Sequence, residues 1–340
     1  MKKNLKKILV GLVVVIVLAV IFLRGDQLEE LVATIERGAP LFLIGAVVFQ
    51  LGKYFAQGAS FIWCFKSVGS RLSLKEGIKL VFATFFVDTV IPSFNMSGTS
   101  IVIAEAAHEH ISAGKATGAA LLRQVSINAG FLVIMVIGFA ILGIAGGLNA
   151  GWIALGIIAI LIVGGMVAAM AFAAMKPDLL LKLLAPLVRV IDRFLTKRKK
   201  KPVDAWVKDT VNTYAQSAAL MTKNKQDIGA DLGLNVAASI FELGCFAFVA
   251  LAFGVHDIEA MICGYVVVTL FAMISFVPQG VGVVEAAALV TFALFDQATA
   301  MAVIMVYRAI VFWLPFLIGA VVIQRSKLLS EHEKSTKNAS

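Results

Sequence analysis

Apolar stretches of membrane-spanning length alternate with short polar segments along most of the chain. A helix needs roughly 20 mostly apolar residues to cross a hydrocarbon core about 30 Å thick. Eight stretches meet or approach that length: Ile8–Leu23, Leu41–Phe65, Ile78–Ile91, Ala116–Gly146, Trp152–Met175, Ile228–Phe253, Ile258–Val277 and Gln297–Gln324. Two interruptions fall inside apolar surroundings. The first, Pro92–Ser100 (PSFNMSGTS), precedes an expected short helix, Ile101–His110. The second holds Pro278, Gly280 and Gly282, and precedes an expected short helix, Val283–Phe295. Proline removes a backbone donor and glycine permits angles that a helix cannot use, so a membrane helix should break at each. The predicted fold is an all-α polytopic membrane protein. It has about eight transmembrane helices plus two re-entrant helical hairpins, in a single integral membrane domain over 1–340.

Composition agrees. The 340 residues are 60% hydrophobic and 15% charged, against about 45–50% and about 25% in soluble domains, which excludes a soluble enzyme. The net charge of +9 belongs to loops rather than to a nucleic-acid surface. MKKNLKK, the 66–75 loop, the 176–227 insertion with KRKKK at 197–201, and the tail after Arg325 are basic. The segments 24–40, 253–257 and 296 are mildly acidic. By the positive-inside rule both termini are cytoplasmic in a bacterial inner membrane. No small-residue cleavage site follows the first apolar run, so it reads as an uncleaved span. Two amphipathic helices are expected in the insertion, around Leu179–Leu195 and Ala205–Met221. This topology makes the first hairpin enter from the cytoplasm and the second from outside. Cys64, Cys245 and Cys263 lack metal-ligand spacing, and His108-x-His110 has no third ligand, so neither a metal nor a cofactor is expected.

The two interruptions share a layout. Pro92 to Arg123 spans 31 positions and Pro278 to Arg308 spans 30. Between them come glycines (Gly98; Gly280 and Gly282) and a carboxylate (Glu105; Glu285). Lys53 and Glu242 lie mid-span upstream. This predicts an inverted repeat, with repeat one about 41–146 and repeat two about 228–324, and such repeats hold their substrate at a shared midplane interface. Charges at membrane depth are costly and mark functional cavities. Lys53, Asp88, Glu105, Arg123, Glu242, Glu285 and Arg308 are all predicted at that depth. Arginine offers a bidentate fork to a phosphate, and a helix N-terminus offers free N–H groups. The candidate substrate-binding set is Arg123, Arg308, Glu285, Glu105, Lys53, Glu242, Gly280, Gly282, Asn95 and Tyr307. The competing reading pairs Arg308 with Glu285 and Arg123 with Glu105 as salt bridges that lock the hairpins, and makes Tyr307 a packing residue. Asn128, Gln124 and Asn235 read as hydrogen-bonding contacts between helices.

VPQGVGVVEAA at 277–287 and VYRAIVFWLP at 306–315 resemble the Pro-x-Gly-Gly-x-Gly-x-x-Glu and Tyr-Arg…Trp-Leu-Pro signature of the lysylphosphatidylglycerol synthase transmembrane-region family, also described as flippase-like. Gln279 stands where glycine is common, and the first hairpin lacks the family's Gly-Glu-x-x-Arg. The resemblance implies movement of an anionic phospholipid or polyprenyl-phosphate-linked lipid between leaflets, without lipid synthesis. No catalytic motif is recognisable, so transport is favoured over catalysis. A headgroup transferase using Glu285 or Glu242 as base, and an accessory scaffold for a lipid synthase or glycosyltransferase, stand as alternatives. The expected partners are anionic membrane lipids. A homodimer, or a synthase or glycosyltransferase bound at the insertion, is also compatible with the sequence.

Overall fold

A computed structural model describes residues 32–90, 97–144, 150–197, 204–274, 282–293 and 299–325. The expected span Ile8–Leu23 lies outside these residues. So do Pro92 and Asn95 at the first interruption, Pro278 and Gly280 at the second, and most of the 197–201 basic run. The described residues fold as helices, with no strand among them. In order they are α1 (Pro40–Ser67), α2 (Leu74–Val90), α3 (Thr99–His108), α4 (Ala113–Ile144), α5 (Ala150–Met175) and α6 (Pro177–Lys197). They continue as α7 (Asp204–Lys223), α8 (Lys225–Ala252), α9 (Ile258–Ile274), α10 (Val283–Ala293), α11 (Ala300–Arg308) and α12 (Leu314–Arg325).

Among the described residues five helical stretches are long and apolar enough to cross a membrane: Pro40–Ser67, Ala113–Ile141, Gly156–Met175, Lys225–Ala252 and Ala300–Arg325. Two further expected spans are described over 17 residues each, as α2 and α9, about 26 Å of helix at 1.5 Å per residue. The described part of each runs up to one of the two interruptions. The expected eighth span is also not a uniform α-helix, because a π-helical segment, Ala309–Trp313, separates α11 from α12. The amphipathic helices of the insertion form as α6 and α7. Their apolar faces are partly open, with Leu179, Leu183, Leu187 and Val190 of α6 exposed.

The helix starts are locally encoded. Ser73 and Glu76 form a capping box ahead of α2: the Ser73 N–H and hydroxyl donate to Glu76 Oε2 at 2.9 and 2.7 Å, and the Glu76 N–H donates to Ser73 Oγ at 3.3 Å. Such reciprocal bonds satisfy N–H groups that a helix start leaves open. They also hold the Glu76 carboxyl below the usual range. Asp257 plays the same part for α9, accepting from the N–H groups of Glu259 and Ala260.

The centre of the molecule is the pair α1 and α8, which pack along most of their length. Small residues let membrane helices approach closely, and here the exchange is reciprocal. Phe248 lies over Gly45 and Phe241 over Gly52, while Phe49 lies over Gly244. A Cβ would come within 2.3 Å of the Phe248 ring at Gly45 and 2.2 Å of the Phe49 ring at Gly244. The outer face of α1 presents Leu41, Ile44, Val48, Leu51 and Phe55 to its surroundings, the 3–4 residue spacing of one lipid-facing stripe.

The remaining helices pack crosswise. Helix α2, which follows α1, packs on α12 at the far end of the chain. Gly319 meets the Phe82 carbonyl there, and Phe86 stacks on Phe316 at 5.1 Å. Helix α9, which follows α8, packs on α4, where Val266 fills the space over Gly138. Tyr214 of α7 donates its hydroxyl to the Met170 carbonyl of α5 at 3.0 Å, tying the insertion to the bundle. Burial pushes that phenol up to about 12.

Because Phe49 occupies the space over Gly244, Gly244→Leu should lower the melting temperature in detergent, consistent with a cost of about 1–3 kcal/mol for overpacking. Gly229→Ala, at a glycine facing open space, should leave the melting temperature unchanged or raise it.

Candidate functional site

A cavity of about 210 Å³ lies between the crossed helices. Polar groups reach it from both halves of the chain. Helix α1 gives Lys53 and Gln57, α2 gives Thr84 and Asp88, and α4 gives Arg123, Gln124 and Asn128. From the other half, α8 gives Asn235, Ser239 and Glu242, α9 gives Thr269, and α11 gives Tyr307 and Arg308. Apolar walls come from Val81, Phe85, Phe131, Val268 and Phe312.

Three cations face this space, each held differently. Lys53 Nζ is ion-paired with Glu242 Oε1 across the α1–α8 interface, and each side chain is 14% exposed. The other carboxylate oxygen, Glu242 Oε2, accepts from the Tyr265 hydroxyl at 3.3 Å. Arg308 Nε donates to Glu285 Oε1 at 2.9 Å, with its guanidinium 5.1 Å from the centre of the Phe312 ring. Arg123 is 9% exposed and lies over the face of Phe61 at 4.1 Å. Its Nε has no hydrogen-bond partner among the described residues. No carboxylate there comes within ion-pairing distance of it; Asp231 and Asp88 act on it through space.

The two short helices begin on protein carboxylates. The Gly98 N–H donates to Asp88 Oδ1 at 2.7 Å and the Ser97 hydroxyl donates to the same oxygen at 2.9 Å, at the start of α3. Only glycine fits at 98, since a Cβ would fall 2.7 Å from Asp88 Oδ2 and 2.8 Å from Thr84. At the start of α10 the Gly282 N–H donates to Glu285 Oε2 at 2.6 Å, and Gly282 has φ of +88°, an angle suited to glycine. A helix N-terminus carries partial positive charge that stabilises a carboxylate. The anions at these ends are therefore the chain's own side chains. Each half repeats one motif: a guanidinium, a carboxylate and a helix N-terminus.

Of the candidate residues, Lys53, Glu242, Arg123, Arg308 and Tyr307 line one cavity. Glu285 and Gly282 are joined to it through Arg308. Glu105 is half-buried on α3 and is not among the lining residues, and it does not pair with Arg123. Asn95 and Gly280 lie outside the described residues. The sequence reading passed over Asp231, which is fully buried on α8. Its Oδ1 accepts from Ser60 Oγ at 2.6 Å and from Asn235 Nδ2 at 3.1 Å. Asp231 falls three residues inside the expected start of the sixth span, where a carboxylate reads as interfacial. The available signal was Asn235 one helical turn on, which points to a polar cluster facing another helix.

These features define a multi-pass helical membrane protein whose charged cavity is built from both ends of the chain. More particularly, the chain belongs to the lysylphosphatidylglycerol synthase TM region family, whose sequence profile it matches over residues 8–319. No curated protein matches it significantly.

Removing one partner of a buried ion pair strands the other, at a cost of roughly 3–5 kcal/mol when burial is complete. The opening onto the cavity places Lys53–Glu242 at or below the lower end of that range. Lys53→Met should therefore lower thermal stability clearly, and Lys53→Met/Glu242→Leu should recover most of the loss. A double-mutant cycle in detergent reads both.

Proposed function

We propose that this protein moves an anionic phospholipid or polyprenyl-phosphate-linked lipid between the leaflets of the bacterial cytoplasmic membrane, with both termini in the cytoplasm. Arg123 carries this reading. It is a nearly buried guanidinium, lines the cavity, and has no ion pair among the described residues. A guanidinium in such a place is matched to a bidentate phosphate oxyanion. Arg308, held by Glu285 and Phe312, offers a second cationic face from the opposite half. Thr84, Gln124, Asn128 and Thr269 add hydrogen-bonding groups for the rest of a headgroup. The acyl chains would stay in the bilayer.

The crosswise packing of α2 on α12 and α9 on α4 supports an inverted repeat, as does the repeated guanidinium–carboxylate–helix motif. In that reading the hairpins before α3 and α10 enter from opposite faces. Relative movement of the halves would expose the cavity to each side in turn, which is how transporters with inverted repeats gain alternating access.

In proteoliposomes carrying a fluorescent short-chain phosphatidylglycerol, the native protein should speed leaflet exchange, measured by dithionite quenching. Arg123→Ala should reduce the rate at least about tenfold, which corresponds to some 1.4 kcal/mol. Arg308→Ala should also slow it. Full exchange in a well-folded Arg123→Ala protein would remove that residue from the site. Chemical turnover of the lipid by purified protein, seen by mass spectrometry, would favour headgroup transfer instead.

A further inference from the structure

Asp231 has no part in the site as described, yet its surroundings are unusual. It is fully buried, and Ser60 and Asn235 serve only one of its oxygens. Among the described residues Asp231 Oδ2 has no hydrogen-bond partner, and neither has Asn235 Oδ1. Ser126 and Cys64 lie against the carboxyl without a well-formed bond to Oδ2. Asn235, which bonds Asp231 at its other end, lines the cavity. Asp231 thus sits one residue behind the cavity wall.

The charged and titratable groups that act on it most strongly are Cys64 of α1 and Arg123 of α4. The other charges nearby are committed elsewhere. Lys66 is paired with Asp227 at 2.9 Å, one turn earlier on α8. Lys53 is paired with Glu242, and Tyr265 of α9 and Tyr307 of α11 lie towards Glu242, three turns further along. Of these cations, Arg123 is the one that acts on Asp231, through space rather than as an ion pair, and it is the same group that faces the cavity.

We propose that Asp231 is a proton-binding site, loaded from the cavity, whose occupancy is tied to what Arg123 holds. The idea rests on the reading of Arg123 as the phosphate contact. A carboxylate shut away from water is costly unless a cation or donors compensate it. When a phosphate engages Arg123, that compensation is withdrawn. One proton from cavity water then adds to Asp231 Oδ2, converting the carboxylate to a neutral carboxyl. When the phosphate leaves, the proton returns to the cavity water. Each lipid phosphate is thereby accompanied by one proton. The chemistry suits a proton better than a metal ion. Ser60 and Asn235 turn hydrogens towards Oδ1, whereas a hard cation needs a shell of several oxygens. No cluster of acidic, His or Cys side chains able to hold a metal occurs among the described residues.

The test uses full-length protein in vesicles containing the fluorescent phosphatidylglycerol, with pyranine inside to report protons. An imposed pH gradient should accelerate lipid movement by the native protein, with pyranine recording co-movement. Asp231→Asn, which keeps the shape and the Ser60 contact, should still move lipid, but the ratio of rates with and without the gradient should fall to unity and the pyranine signal should vanish. A gradient response retained by Asp231→Asn, or a native protein driven by a sodium gradient instead, overturns the proposal. Infrared difference spectra on titration separate its failure from that of the transport reading. A protonated-carboxyl band present in native protein and absent in Asp231→Asn supports the site even if no lipid moves. If that band is the same in both proteins, the site is refuted even where lipid does move.

Discussion

Charge inside an apolar helical bundle is the constraint that shapes this molecule. Moving an ion out of water costs several kcal/mol even after relaxation, so it persists only where partners restore what water supplied. Here the partners come from distant parts of the chain. Lys53 and Glu242 meet across the central helix pair, 189 positions apart in sequence. Arg308 meets Glu285 over a helix start. The α1–α8 interface must bring these groups together in register, and the glycine–phenylalanine exchange along it fixes that register. Packing and charge thus specify one another.

Helix termini carry much of the compensation. Asp88 and Glu285 each take a backbone N–H group at the start of a short helix; Asp88 is held that way without an ion pair among the described residues, and Glu285 is held by Arg308 as well. This changes what the termini can do. They do not stand open for a substrate anion; they anchor acidic groups that shape the field at Arg123 and Arg308. An anion in the cavity would therefore meet guanidinium groups rather than bare helix ends. The π-helical segment directly after Arg308 is a second local departure. Such bulges occur often at functional sites because they re-aim side chains at little cost to the helix.

Much of this was legible in the sequence because membrane helices announce themselves by length and apolarity. Spans near 41–65, 116–146, 152–175 and 228–253 correspond to helices at 40–67, 113–144, 150–175 and 225–252. The amphipathic insertion was equally plain, since its charges and leucines alternate at helical spacing. The spans at 78–91 and 258–277 likewise correspond to helices described at 74–90 and 258–274. Pairings were hardest of all. Glu285 and Arg308 lie close enough in sequence to suggest their contact. Arg123 has its nearest acidic groups on α2 and α8, and no spacing rule reaches across 108 residues to Asp231. That through-space neighbour needed tertiary structure. The family, by contrast, was written in VPQGVGVVEAA and VYRAIVFWLP, where glycine, proline and charge interrupt an apolar run in fixed order.

Everything functional here depends on the cavity being a watered, ligand-accessible space rather than a packed polar core. Cysteine labelling addresses this directly, because Cys64, Cys245 and Cys263 are free and buried. Asn128→Cys and Thr269→Cys, which line the cavity, should react with a small charged methanethiosulfonate, and glycerol phosphate should slow that reaction. Val48→Cys, on the lipid-facing side of α1, should stay unmodified under the same conditions. Cavity cysteines as inert as the one at position 48, in a protein that melts normally, would contradict the account.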